Sequence, residues 1–396
     1  MKVNIYGLNH QGMGIGKING KVIFVEHALV GEIVEVDIVK EYNNYFVGKV
    51  NKVIKKSDDR CNYNCKYYDK CGGCNIGILK YEKQLEFKKN KVIDIFRKYG
   101  NLNINPDIVG SCEFGYRNKV MLHVENGKLG YYESESNSIV EIDRCLIAND
   151  KINEIIDIIK NNINLNKVNK IVIRATHEDS MVVFEGKINI KDIDYLKNIS
   201  SIYINDKLVY GKDKIIEKLG NYNFYISKDS FFQVNTKQAF NLYNQVLEYA
   251  NLNKNDYVVD LYCGTGTIGI FLAKHCKRVL GIEINESCIK DARNNSKLNN
   301  IDNIDFMCES SSIISKLDDK FDVVIVDPPR SGLDKITVNT LNKIMVKRIV
   351  YVSCNPMTLI RDIKLLSGEY ELKEVKLFDM FAGDYHVETI CVLERE

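Results

Sequence analysis

From about Tyr249 onward, short apolar runs at 257–261, 278–282, 321–326 and 348–352 alternate with longer helical stretches. Strands separated by helices cannot pair as tight hairpins, so this pattern predicts a doubly wound parallel α/β sheet. The constraint extends to chemistry, because ligands of such sheets bind outside the carboxyl ends of the strands. Two further runs, 374–378 and 389–393, are joined by a loop and predict an antiparallel hairpin that closes the sheet.

Upstream the pattern differs. Residues 1–56 read as short strands between glycine turns, with acidic and apolar residues alternating over 32–38, and predict an OB-like β-barrel. Residues 57–220 read as an α+β central domain with a basic helix over 80–98, and 221–396 as the domain of the parallel sheet. The 396 residues carry a net charge of +2, which says little, but 51–100 hold an excess of Lys and Arg interleaved with Tyr63, Tyr67, Tyr68, Tyr81 and Tyr99. Cations and rings together suit RNA, whereas a basic helix can equally be a solvated face. The amino terminus has no apolar signal segment, and no stretch reaches the roughly 18 apolar residues of a membrane helix. A cytoplasmic protein without a membrane partner is expected, and nothing calls for an obligate protein partner. In that setting the twelve cysteines read as thiols, metal ligands or a nucleophile rather than disulfides.

Candidate site residues cluster at the strand ends. Asp260 through Gly269 join the first parallel strand to its helix, and Gly264 and Gly266 allow a tight turn close to a ligand. Glu283, ending the next strand, is placed to accept ribose hydroxyls. The span 264–269 also fits G-x-G-x-x-G, so a dinucleotide site and an NAD-dependent oxidoreductase are the rival reading. Asp327-Pro328-Pro329-Arg330 forms a rigid turn after the strand 321–326. Such a turn suits an enzyme that holds a planar base beside a methyl donor, and is also compatible with a plain strand-end turn.

Cys354, in Ser353-Cys354-Asn355-Pro356, follows the run 348–352 and is a candidate nucleophile; the alternative is a small buried apolar side chain. C5 of uracil accepts a methyl group only after a nucleophile adds to C6, and a base must then remove the C5 proton. Glu388, at the start of the last strand, is the candidate base; a surface glutamate is its alternative. Taken in order, Phe231-Phe232-Gln233-Val234-Asn235, the 260–269 loop, Asp327 to Arg330, Ser353 to Pro356 and His386-Val387-Glu388 resemble the RNA 5-methyluridine (uracil-5-)methyltransferases. Upstream, residues 1–56 resemble that family's TRAM domain, and Cys71-Gly72-Gly73-Cys74 and Tyr116-Arg117-Asn118-Lys119 its central motifs.

The resemblance implies a class I methyltransferase sheet, S-adenosylmethionine as cofactor, Cys354 as nucleophile and Glu388 as base. It implies cofactor contacts from Gln233, Tyr262, Gly264, Glu283 and Asp327. Thr267 and Ser310 stand where asparagines are expected, which weakens those two contacts. Cys65, Cys71 and Cys74, with Cys145 from a distance, suit zinc or an iron-sulfur cluster by spacing. The resemblance favours [4Fe-4S] and ranks Cys61 below Cys65. It favours structured RNA as partner, with a uridine of 23S ribosomal RNA as substrate and transfer RNA as the alternative. A catalytically silent RNA-binding protein is disfavoured because neither 354 nor 388 is alanine.

Overall fold

A computed structural model describes residues 1–134, 136–317, 319–344 and 346–395. The carboxy-terminal half builds an eight-stranded sheet in the order Ile304–Cys308, Arg278–Glu283, Tyr257–Leu261, Val323–Val326, Arg348–Ser353, Glu388–Arg395, Tyr370–Phe378 and Asp107–Val109. The first five strands are parallel and apolar along almost their whole length, because helices cover both faces. One core layer holds Val258, Ile325 and Val350; the opposite layer holds Val259, Val324 and Ile349.

The terminal hairpin forms as expected, with Tyr370–Phe378 antiparallel to Glu388–Arg395. It does not close the sheet. Asp107–Val109 pairs parallel with residues 376–378 and forms the outer strand. Helix Tyr81–Ile95 accompanies that strand, and Val92, Ile95 and Phe96 join the core on one face of this sheet. Residues 81–109, which the sequence reading gave to the central domain, therefore pack with the sheet. The boundary at 220 falls in the turn of a hairpin formed by Ile215–Leu219 and Tyr222–Ile226.

The rest of the central region is a seven-stranded sheet of residues 119–211 with helix Asp150–Asn162 against it. At the amino terminus, six strands form a strongly curved sheet. Its two ends approach each other: a Cβ on Gly16 would lie 2.2 Å from Val3, and Tyr6 donates its N–H to the Ile15 carbonyl. Among the described residues no helix is long and apolar enough to cross a membrane.

The basic, tyrosine-rich segment is less exposed than its composition implied. Lys88 and its partner Asp379 are both fully buried, 2.5 Å apart. The Tyr81 hydroxyl also donates to Asp379, Tyr68 is buried, and Tyr67 bonds to Asp143. Much of the charge and aromaticity thus holds the fold together, and Tyr99 remains exposed.

Candidate active site

The antiparallel register sets the central pair. Ser353 lies opposite Thr389, so one further step places Cys354 opposite Glu388 at the carboxyl edge of the parallel strands. Asn355 caps helix Pro356–Leu366 by accepting from the Met357 N–H, and proline at the first helical position needs no N–H partner. The same Asn355 donates to the carbonyl of Arg330 at 3.2 Å, as does Thr358 at 3.3 Å. These bonds tie the Asp327 turn to the Cys354 turn.

The site is acidic and much of it is buried. Burial raises the Glu388 carboxyl to about 8, with the Asp327 charge adding to it. Burial raises Asp327 to about 7. It raises Asp260 to about 8, opposed by the Gly269 N–H and supported by Asp327 and Glu283. The half-buried Cys354 thiol is pushed up to about 11 by burial and by the Glu388 and Asp327 charges, while Arg330 opposes them. Several carboxyls thus compete in one crevice with little compensating cation. A positively charged ligand group placed among them relieves that competition.

The cofactor loop follows strand Tyr257–Leu261. Asp260 accepts the Gly269 N–H at 3.0 Å through one oxygen, while its buried Oδ1 has no partner. Gly264 takes φ 52° with open space beside it, and its N–H donates to Glu283 at 3.3 Å. Gly266 takes φ 78°, where a Cβ would meet the Phe306 ring at 2.8 Å. Tyr262 also has a positive φ of 62°, and its hydroxyl meets Ser311 at 3.1 Å and Thr337 at 3.5 Å. A glycine turn with open space beside Gly264 and a strand-end carboxylate fit a nucleoside-bearing cofactor.

The other predicted residues are less directly engaged. Thr267 shares a hydrogen bond with Thr265 and Ser310 with Ser312, each at 3.2 Å. Gln233 is buried, and its main-chain carbonyl accepts from Asn118. Two residues later Asn235 caps helix Thr236–Ala250 and donates to the carbonyl of Met380, just beyond Phe378, the strand partner of Glu388. Two residues without a predicted role stand out by exposure: Phe231 at 68 % and Ile284, directly after Glu283, at 75 %. An apolar residue following a strand-end acid, where a polar turn residue is the norm, was the available signal for Ile284.

The loop from Asp379 to Val387 delivers Glu388, and the central region grips it throughout. Lys88 donates to the Phe381 carbonyl, Tyr116 to Ala382 and Lys91 to Tyr385. The Gly383 carbonyl accepts both the Asn75 and Ile76 N–H groups at 2.9 Å. Next to this loop, Cys65, Cys71, Cys74 and Cys145 line one cavity of about 310 Å³, with Asp384 on its wall. Asp143 holds the two cysteine-bearing loops together by accepting from Lys66, Tyr67 and Lys160. Cys61 points elsewhere, donating to the carbonyls of Gly77 and Leu79. Among the described residues no three His, Cys, Asp or Glu side chains are grouped closely enough to hold a single metal ion.

Comparison with known proteins agrees with this geometry. Residues 80–396 match the tRNA (uracil-5-)methyltransferase family model and residues 1–50 the TRAM domain model. The chain is 38 % identical to an uncharacterised RNA methyltransferase of Clostridium tetani, covering 98 % of this chain and 95 % of that one. It is 37 % identical to one of Clostridium acetobutylicum, covering 100 % and 96 %. The crystal structure of Pyrococcus abyssi tRNA (uracil-54, C5)-methyltransferase, in complex with S-adenosyl-L-homocysteine, superposes with a TM-score of 0.83 at 31 % identity. That match covers 99 % of this chain and 100 % of the other. The chain belongs to the tRNA (uracil-5-)methyltransferase family and is an S-adenosylmethionine-dependent RNA (uracil-5-)methyltransferase.

Proposed function

We propose that Cys354 and Glu388 carry out the transfer by covalent catalysis on a uridine unstacked from a structured RNA. The observation that carries this reading is their facing position across the antiparallel register, next to the Asp327 turn. Cys354 Sγ adds to C6 of uracil, which makes C5 nucleophilic. S-adenosylmethionine, when bound, supplies the electrophilic methyl group and a positive charge. Once C5 carries the methyl group and S-adenosylhomocysteine is left behind, Glu388 takes the C5 proton, the C5–C6 double bond re-forms and Sγ leaves with its bonding pair. A cation beside Glu388, Asp327 and Cys354 lowers all three pKa values, so donor binding favours both the thiolate and the ionised base. Phe231 offers an aromatic face for the flipped base, which cannot reach Cys354 from within a helix.

In this reading Glu283 accepts from the ribose and Gly264 lets the main chain approach the donor. Ile284 covers an apolar face, and Gln233, Tyr262 and Asp327 line the reacting end. Thr267 and Ser310 contribute weaker contacts, since each hydroxyl already has a neighbouring hydroxyl. Cys65, Cys71, Cys74 and Cys145 hold a [4Fe-4S] cluster with a structural role beside the Glu388 loop. That the four cysteines line one cavity supports a bound metal centre there.

The full-length likeness to a transfer-RNA enzyme supports transfer RNA as the first substrate to test. The resemblance of the cysteine motif and TRAM segment to the ribosomal-RNA branch supports 23S ribosomal RNA as the second. Unmodified transcripts of each, incubated with methyl-labelled S-adenosylmethionine and digested to nucleosides, decide between them. Label in 5-methyluridine from one transcript identifies the substrate; label in another nucleoside, or in neither RNA, refutes the proposal.

A further inference from the structure

A cavity of about 800 Å³ lies beside the loop of Gln233, between the start of helix Thr236–Ala250 and the central sheet. None of Cys354, Glu388, Asp327 or Glu283 lines it, so methyl transfer does not account for it. Its lining combines rings and cations with the two carboxylates of Glu178 and Glu217. Phe114 and Phe240 contribute exposed rings, and Lys218 and Lys237 are exposed cations without an ion pair among the described residues. Asn118, only 4 % exposed, donates through Nδ2 to Glu217, the Gln233 carbonyl and Thr236. Its Oδ1 has no partner. A buried acceptor left unpaired is costly in a folded protein. Rings for stacking and cations for phosphate together suit a nucleotide.

The cavity also shares a wall with the catalytic crevice. Asn118 holds the main chain of Gln233, and Asn235, another lining residue, bonds to the Met380 carbonyl on the strand loop that leads to Glu388. We propose that this cavity receives a second unstacked nucleotide of the RNA substrate, a neighbour of the uridine held at Cys354. The proposal rests on the reading of the chain as an RNA (uracil-5-)methyltransferase. It adds a recognition site that acts on RNA binding rather than on the chemical step.

Cys112 is exposed and lines the cavity, which provides a direct readout. The full-length protein is treated with iodoacetamide, alone and with RNA carrying 5-fluorouridine, and alkylation of Cys112 is followed by peptide mass spectrometry. Bound RNA is expected to slow alkylation of Cys112 by about tenfold, within what one base–aromatic stack supplies. S-adenosylmethionine alone, adenosine monophosphate and uridine monophosphate are expected to leave the rate unchanged. Replacing Lys218 and Lys237 by glutamate should raise the RNA concentration for half-maximal adduct by about tenfold or more, without changing the yield at saturation. RNA that forms the adduct in full while Cys112 reacts at its free rate overturns the site. Equal protection by a free mononucleotide also overturns it, in favour of a small-molecule site. Failure of any RNA to form the adduct overturns the underlying reading, and the site with it.

Discussion

Glu388→Gln separates the electrostatics of the crevice from its chemistry. The carboxyl is 4 % exposed, and burial and Asp327 raise it from 4.5 to about 8. A raised carboxyl binds its proton more tightly in the folded chain than in the unfolded one. Its ionisation therefore costs stability progressively as pH rises from about 4.5 through about 8, and nothing below that window. The full cost above pH 8 is on the order of 5 kcal/mol, and at pH 7.5 on the order of 4 kcal/mol. Glutamine keeps the shape and cannot ionise. The ligand-free variant should match the wild type in urea unfolding near pH 4.5 and exceed it increasingly up to pH 8. Turnover should fall about 10²- to 10⁴-fold, the usual contribution of a positioned base. Because the C5 proton then stays in place, RNA with ordinary uridine should be methylated once and remain attached to the protein on denaturing gels. A stability difference independent of pH, or near-normal turnover without attached RNA, would refute the reasoning.

Other perturbations test separate parts of the structure. Lys88→Met leaves Asp379 charged and buried, and should destabilise the chain by about 3–5 kcal/mol, read by denaturant unfolding. Adding Asp379→Leu should recover much of that loss, since no buried charge is then unpaired. Gly266→Ala places a Cβ 2.8 Å from the Phe306 ring at a positive φ, and calorimetric titration should show S-adenosylmethionine binding weakened at least tenfold. For the cysteine cavity, Cys61→Ser should retain iron and visible absorption, while serine at Cys65, Cys71, Cys74 or Cys145 should lower both. A zinc-loaded, colourless wild type prepared without air refutes the cluster.

What was legible in the sequence depended on range. The parallel sheet was, because four of its strands are largely apolar and each connection between them is long enough for a helix. The edge strand Ile304–Cys308 was not singled out, since Asp305 interrupts its apolar pattern and one side lacks a neighbour. Asp107–Val109 carries no local signal either: three residues become a strand only because Tyr370–Phe378 offers an unpaired edge far along the chain. The basic helix shows the same limit, for charge counting cannot reveal that Lys88 is buried against Asp379, 291 residues away.

The candidate site was more legible, since strand ends in a parallel sheet converge whatever their separation in sequence. Cys354, Asp327, Glu283 and the 260–269 loop could be placed from that rule alone. Its finer parts depend on pairings between residues far apart in the chain. The opposition of Cys354 and Glu388 is a matter of register, which periodicity fixes only to alternate residues. The partners of Tyr262, Ser311 and Thr337, come from the first turns of two other helices.

The central claim is covalent attack by Cys354 on a uridine, and trapping tests it most directly. Fluorine at C5 cannot leave as a proton, so RNA carrying 5-fluorouridine and S-adenosylmethionine should arrest the enzyme as a stable adduct. Peptide mass spectrometry should locate the nucleotide on Cys354, and Cys354→Ala should form none. An adduct that persists in Cys354→Ala, or its absence from the wild type on an RNA that the enzyme methylates, would contradict the account.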